Sequence, residues 1–275
     1  MRPGLFSKGA PGQAAPFLFS VLYVCLLCAA SQPAFAVECP AERIDERVQV
    51  VYVYDGDTVK LKDGRRVRLI GINTPEMARD GDNNEPLASA ARDTLQEMLD
   101  RENRILHLQY GEQHMDHYGR LLAHGFLENG DNVAAGMLRK GLATTLVVPP
   151  NTWATDCYQR LEDDARIDRR GLWSLGRYQA LASSDLPADT SGFRIVRGRV
   201  TDLRESSRSI WIDLQGSLTL HISRRDLANF APRYLEQLVG RFVEVRGWIK
   251  RDKNGLRLNI RHPADLVIIT SGPAH

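Results

Sequence analysis

Between residues 46 and 72 the chain alternates between apolar and polar positions. Val48, Val50 and Tyr52 stand between other residues, and TVKLK and RVRLIGI flank Asp63-Gly64, the dipeptide type that most favours a tight hairpin turn. A side-chain period of two belongs to a strand with one buried face, so this stretch predicts a meander of about three strands. The period then changes. After Pro86, Leu87, Ala91, Leu95 and Met98 recur at spacings of three and four, which places them on one face of a helix opened by the proline. RILHLQY (104–110) and RLLAHGFL (120–127) read as two more strands, ending at a second turn pair, Asn129-Gly130. Two helices should follow, one from about Asn132 to Lys140 before Gly141, and one from about Thr155 to Arg170 before Gly171. Five strands with a helix before the fourth, then two more helices, predict a mainly β, α+β architecture: a small five-stranded Greek-key barrel with helical cover.

The pattern repeats on a smaller scale near the C-terminus. RIVRGRVTDL, SIWIDL and LTLHIS read as strands, followed by a helix near Ala228 to Leu238 and by RFVEVRGWI and LRLNI around the turn Lys253-Asn254-Gly255. This predicts a second, smaller barrel. LASSDLPADTSG, residues 181–192, has the composition of a linker. The expected domains are therefore 37–180 and 193–275.

Charge sharpens that division. The 275 residues carry a formal net charge of only +2, with 43% hydrophobic and 25% charged residues, the composition of an ordinary globular protein. Residues 37–189, however, hold 19 Lys plus Arg against 26 Asp plus Glu, whereas residues 190–275 hold 15 against 8, so the halves stand at −7 and +7. The second half has 13 arginines, two lysines, Trp211 and Trp248, materials for a nucleic-acid groove or equally for a solvated basic face over core tryptophans.

The first 36 residues differ from the rest. Arg2 and Lys8 precede an apolar run of 14 residues, Phe17 to Ala30, and Ala34-Phe35-Ala36 follows as a cleavage site, the pattern of a secretory signal. The run is short of the roughly 20 residues that span a bilayer. A mature chain starting near Val37, not membrane-bound, in the periplasm or the medium is the expectation. Cys25 and Cys28 would leave with the signal, and Cys39 and Cys157 would remain. An oxidising compartment favours a disulfide between them, two unpaired thiols being the alternative.

Three stretches concentrate charge within the first domain: DGDT at 55–58, RLIGINTPE at 68–76 and DHYGR at 116–120. Taken singly, DGDT reads as a solvated turn, TPE as a turn entering a loop and YGR as a strand start with an exposed arginine. Together they form a coherent site. Asp57 and the 73–76 turn offer hard oxygen ligands for a divalent cation of the calcium type. Arg68 and Arg120 offer two guanidinium forks suited to phosphate oxygens, and Glu76 a carboxylate close to both.

The ordered set DGDTVKL, R-L-x-G-I-x-T-P-E, D-x-Y-G-R, LRKGLA (138–143) and GLWS (171–174) resembles the thermonuclease family of the staphylococcal nuclease type over about residues 47–175. The resemblance implies an OB-fold five-stranded barrel with three helices. It implies Asp57, Asn73 and the Thr74 backbone carbonyl as metal ligands, Ca2+ or another divalent cation as cofactor, and Arg68, Glu76 and Arg120 as the catalytic trio. The implied reaction is endonucleolytic hydrolysis of DNA or RNA, leaving 3′-phosphate ends.

Three positions depart from the family pattern. Asn73 stands where an aspartate is usual, which removes one anionic ligand. Val147 and Pro149 stand where the staphylococcal prototype has tyrosines that bracket the bound nucleotide, while Tyr118 keeps its place beside Arg120 as a substrate contact. These departures keep open an alternative, a nucleic-acid-binding protein on the same fold with impaired catalysis. His114 and His117, three residues apart, are expected to hydrogen-bond or touch phosphate at the loop rim, since no third ligand clusters with them to make a zinc site.

Overall fold

The alternating stretch closes on itself. In the computed structural model, which describes residues 37–78, 83–231, 233–253 and 255–270 together with Met1, Gly4 and Gly9, five strands form a barrel. They are β1 (Glu46–Val53), β2 (Thr58–Leu61), β3 (Arg66–Leu69), β5 (Ile105–Met115) and β6 (Leu121–Phe126), in the order β1-β2-β3-β6-β5 with β5 returning to β1. Helices α1 (Ala88–Arg101), α2 (Val133–Arg139) and α3 (Thr155–Ile167) cover it. The apolar positions face inward as their period requires, with one exception in β1. Val48, Val50 and Val53 are buried while Tyr52 is exposed, because an irregularity in the β1–β2 register between Val50 and Tyr52 shifts the alternation by one residue.

RVRLIGI is not one strand. β3 ends at Leu69, and β4 (Gly71–Asn73) leaves the barrel to pair with β7 (Thr144–Leu146). Gly71 makes the break: its φ is +87°, and a Cβ there would lie 2.4 Å from the Tyr158 ring of α3. Arg68 therefore stands on the barrel wall, whereas Asn73 stands on a separate two-stranded ribbon.

Asn132 caps α2 by accepting from the Ala135 N–H at 3.1 Å, and its amide donates to the Cys39 carbonyl at 2.9 Å. Cys39 is bonded to Cys157 of α3, closing a separation of 118 residues. The bridge ties the segment before β1 to the helical cover.

The second barrel comprises β9 (Gly192–Glu205), β10 (Ser209–Leu214), β11 (Leu218–Ser223), β13 (Gly255–Asn259) and β12 (Phe242–Asp252), closed by β12 pairing with β9. β8 (Leu181–Ala182) and β14 (Leu266–Ile269) extend its sheet. In place of one helix from Ala228 to Leu238 there are two short pieces, α4 (Arg224–Leu227) and a 3-10 turn at Leu235–Leu238. Ser223 caps α4, its hydroxyl accepting from the Asp226 N–H, so the helix begins four residues earlier than apolar spacing suggests. Residues 181–192 are more than a tether: β8 pairs with β9 and Leu186 is buried in the second core.

Charged side chains pack between the barrels. Glu162 of α3 meets Arg246 of β12 at 2.6 Å, with both side chains buried, and the same Glu162 oxygen accepts from the Thr145 hydroxyl at 2.5 Å. Arg166 and Arg197 both pair with Glu244 at 2.8 Å. No helix among the described residues is long and apolar enough to cross a membrane. The expected signal, with Cys25, Cys28 and the cleavage point after Ala36, falls outside the described residues apart from the three isolated positions, as does Asn254 of the last predicted turn.

Candidate active site

The site is assembled where the β1–β2 turn meets the end of β4. Gly56 permits the approach: a Cβ there would lie 2.7 Å from Thr74 Cγ2 and 2.8 Å from the Ala91 Cβ of α1. With the backbones this close, Asp57 is 2% exposed and Thr74 is 1% exposed. The Thr74 N–H and hydroxyl both donate to Asp57 Oδ2, at 2.9 and 3.0 Å, and the Thr58 hydroxyl donates to Oδ1 at 3.0 Å. A buried carboxylate needs such partners, and these hold it in one orientation.

Arg68 completes the arrangement. Its Nη1 lies 3.1 Å from Asp57 Oδ1, and its Nη2 donates to Asn73 Oδ1 at 3.3 Å. Asn73 Nδ2 in turn donates to the Thr74 carbonyl at 3.3 Å. Asp57, Asn73 and the Thr74 carbonyl, separated by up to 17 positions in the chain, are thus linked around one guanidinium.

Asp55, the other acid of DGDT, belongs to the same place. It is buried, and one of its oxygens accepts from the Asp57 N–H at 3.0 Å. Burial, reinforced by the neighbouring Asp57 charge, pushes the Asp55 carboxyl up to about 7. At that value Asp55 is about half neutral at pH 7, so Asp55 and Asp57 together carry somewhat more negative charge than the one Arg68 guanidinium balances. The donors are all hard oxygens, so the residues present fit a calcium-type cation, with Asn73 contributing a neutral oxygen in place of a charged one. Among the described residues no group of three His, Cys, Asp or Glu side chains gathers to hold a metal, so such an ion would depend on amide and backbone oxygens or on water. The His114 and His117 rings lie tilted against Tyr110 and Tyr118 at centroid distances of 5.3 and 3.7 Å.

Glu76 is exposed at the start of the loop leading to α1. Its N–H donates to Glu85 Oε2 at 3.0 Å, its carbonyl accepts from the Glu85 N–H at 3.1 Å, and Arg177 Nη2 holds the other Glu85 oxygen at 3.2 Å. Glu85 and Arg177 thereby fix the backbone that presents Glu76. Their separation of 92 residues gives no local signal in the sequence.

Arg120 reaches this face from the next strand. β3 and β6 run parallel with Arg68 opposite Leu122, and Arg120 directly precedes β6. Arg66 Nη2 donates to the Tyr118 carbonyl at 3.2 Å, fastening the DHYGR turn to β3. Asp116 accepts from Arg120 Nε at 2.7 Å and from its backbone N–H at 2.9 Å. Burial alone would raise the Asp116 carboxyl, but the Arg120 hydrogen bonds overcome it and hold it below its ordinary value. Arg120 is thus anchored by Asp116 rather than by Glu76, and its guanidinium lies 5.5 Å from the exposed Tyr118 ring. Val147 is buried and carries no ring to this site.

The comparisons with known proteins agree in extent with this region. Residues 66–175 match the family described as staphylococcal nuclease homologue. The chain is 34% identical over 132 residues to a thermonuclease of Staphylococcus intermedius, covering 46% of this chain and 76% of that one. It is 31% identical over 128 residues to the endonuclease YncB of Bacillus subtilis, covering 45% of this chain and 60% of the other. An uncharacterized endonuclease of Escherichia coli is 29% identical over 149 residues, covering 51% and 85%.

Proposed function

The chain belongs to the staphylococcal nuclease family, and we propose that it is a metal-dependent endonuclease hydrolysing phosphodiester bonds of DNA or RNA. The observation that carries this reading is the convergence of Asp57, Asn73 and Arg68 at one point, beside the backbone-clamped Glu76. A binding surface needs cations for phosphate; it has no use for buried carboxylates that leave the site short of positive charge.

Asp57, Asn73 and the Thr74 carbonyl, with Asp55 beside them, would hold a divalent cation, Ca2+ being the first candidate. When bound, that ion supplies Lewis-acid polarisation of the phosphoryl group. Arg68 and Arg120 hold the non-bridging oxygens and stabilise the charge that grows on them. Glu76 orients a water and accepts its proton. The water oxygen bonds to phosphorus, the bond to the 5′ oxygen breaks, and that oxygen takes a proton. The products are a 3′-phosphate and a 5′-hydroxyl. The leader pattern and the Cys39–Cys157 bridge support an enzyme acting in the periplasm or the medium.

The test is cleavage of plasmid and of single-stranded DNA and RNA by purified protein with Ca2+, with Mn2+ or with chelator, beside Glu76→Ala. Metal-dependent cleavage that Glu76→Ala loses, with ends that accept a new phosphate only at the 5′ side, supports the reading. Equal activity in the two proteins, or activity in chelator, sinks it.

A further inference from the structure

Four strands of the second barrel place Trp211, His221, Asn259 and Trp248 side by side on its outer face. Trp211 of β10 is opposite His221 of β11, with ring centroids 4.4 Å apart, and His221 is opposite Asn259 of β13. Ile249 of β12 pairs with Leu258, so Trp248 lies one step further, beside Asn259. Hydrogen bonds hold the middle of the row: His221 Nδ1 and Asn259 Oδ1 are 3.0 Å apart, and His221 Nε2 and the Ser209 hydroxyl 2.8 Å. With strands about 4.8 Å apart, the two indoles are separated by roughly 14 Å, the reach of about two or three extended nucleotides.

The surroundings are basic. Arg257, paired with Asp252 at 3.0 Å, and Lys250 lie opposite one another in the adjacent row, and the acid of that row, Asp213, is held by Arg204 at 2.7 Å and by the Thr219 hydroxyl at 2.8 Å. Trp248, 42% exposed and braced edge-on by Phe193 at 5.2 Å, also opens into a cavity of about 400 Å³. Lys250, Asn259 and Arg261 line that cavity from the second barrel; Val147 and Val148 line it from the first, directly after β7. β7 is the strand paired to β4, Thr144 lying opposite Asn73. The row therefore ends at a cavity that reaches the first barrel just after β7, at the end of that strand away from Asn73.

We propose that this row is a single-stranded nucleic-acid track, in which Trp211 and Trp248 each stack a base, Lys250 and Arg261 meet phosphates, and the strand passes by way of the Trp248 cavity toward the first barrel. Flat rings spaced across a basic sheet accept any base but need it unpaired, so a duplex cannot use them. The proposal takes its substrate class from the nuclease reading, while its test needs no cleavage.

Binding of a fluorescent 12-nucleotide oligothymidylate and of a duplex of equal length is measured with the full-length protein in chelator. Trp211→Ala and Trp248→Ala should each weaken single-strand binding about tenfold. Trp248→Phe should restore most of it, and duplex binding should change less than threefold. Lys250→Glu, an exposed position, should also weaken single-strand binding and reduce its salt slope by about one unit, a readout that survives should an alanine variant misfold. Unchanged single-strand binding in the tryptophan and Lys250 variants, or equal losses on duplex, overturns the track. Tryptophan-dependent binding in a protein that cleaves nothing would keep the track and reject the nuclease.

Discussion

Arg68 and Asp57 face each other across the wall of the first barrel, Nη1 to Oδ1 at 3.1 Å, and both side chains are largely shielded from solvent. Thr58 and Arg68 are paired in the β2–β3 register, so the barrel itself fixes this contact. The other arm of the same guanidinium meets Asn73 at 3.3 Å. One cation of the protein thus spans two of the oxygens that would receive a cation from solution, and a divalent ion must compete with it or share them.

Asn73→Asp should bind Ca2+ more tightly, by about tenfold, because a charged oxygen replaces a neutral one in a site already short of positive charge. Calorimetric titration of both proteins decides it. An affinity no greater than the parent's would show that residue 73 is not a ligand.

Arg68→Ala and Glu76→Ala should each lower kcat by roughly 10²–10⁴-fold, the range for removing a charge-stabilising or proton-accepting group. Glu76 is exposed, so its variant should melt at the parental temperature. Loss of activity accompanied by a lowered Tm in Glu76→Ala would assign it a structural role.

His124 should make the protein acid-sensitive. Burial, with a smaller contribution from the Arg43 charge, depresses its pKa from 6.5 to about 3. Its Nδ1 lies 3.0 Å from the Tyr158 hydroxyl, and its Nε2 is buried without a partner among the described residues. Below pH 6.5 the unfolded chain takes up a proton that the folded one refuses, so this contribution to stability is present above 6.5 and is lost as the pH falls toward 3. Between pH 7.5 and 4.5 the loss is about 2–3 kcal/mol. Urea unfolding of His124→Gln should show a smaller decline over that range than the parent.

Reducing or replacing Cys39–Cys157 should cost about 4–5 kcal/mol, since the bond closes a loop of more than a hundred residues in the unfolded chain. Cys39→Ser/Cys157→Ser and the parent are compared by urea unfolding. A difference under about 1 kcal/mol would remove the entropic argument.

Arg246→Met should cost about 3–5 kcal/mol, because it leaves Glu162 buried without its countercharge. Adding Glu162→Gln should recover much of that loss. Additive losses in the double variant would mean that the pair is not the reason for the first effect.

Much of this was legible in the chain. The period-two stretches, Asp63-Gly64 and the Leu87, Ala91, Leu95 spacing prescribe strands, a hairpin and a helix through local rules, because side-chain direction repeats with the backbone. The charged motifs DGDT, RLIGINTPE and DHYGR were visible for the same reason: a carboxylate or guanidinium inside an apolar run has a desolvation cost that calls for a partner. The even cysteine pair left after residue 36 suggested its own bridge.

Tertiary structure decided what depends on residues far apart. The Tyr158 ring forces Gly71 to break RVRLIGI, sending Arg68 to the barrel and Asn73 to a ribbon 
. Asp55 became part of the site through burial, Glu85 and Arg177 through a contact across 92 residues, and Asp116 as the anchor of Arg120. The tryptophan row exists only because four strands from different parts of the second half lie in register. Local pattern sets which way a side chain points; what it meets there is set by packing, and sequence order carries no measure of that distance.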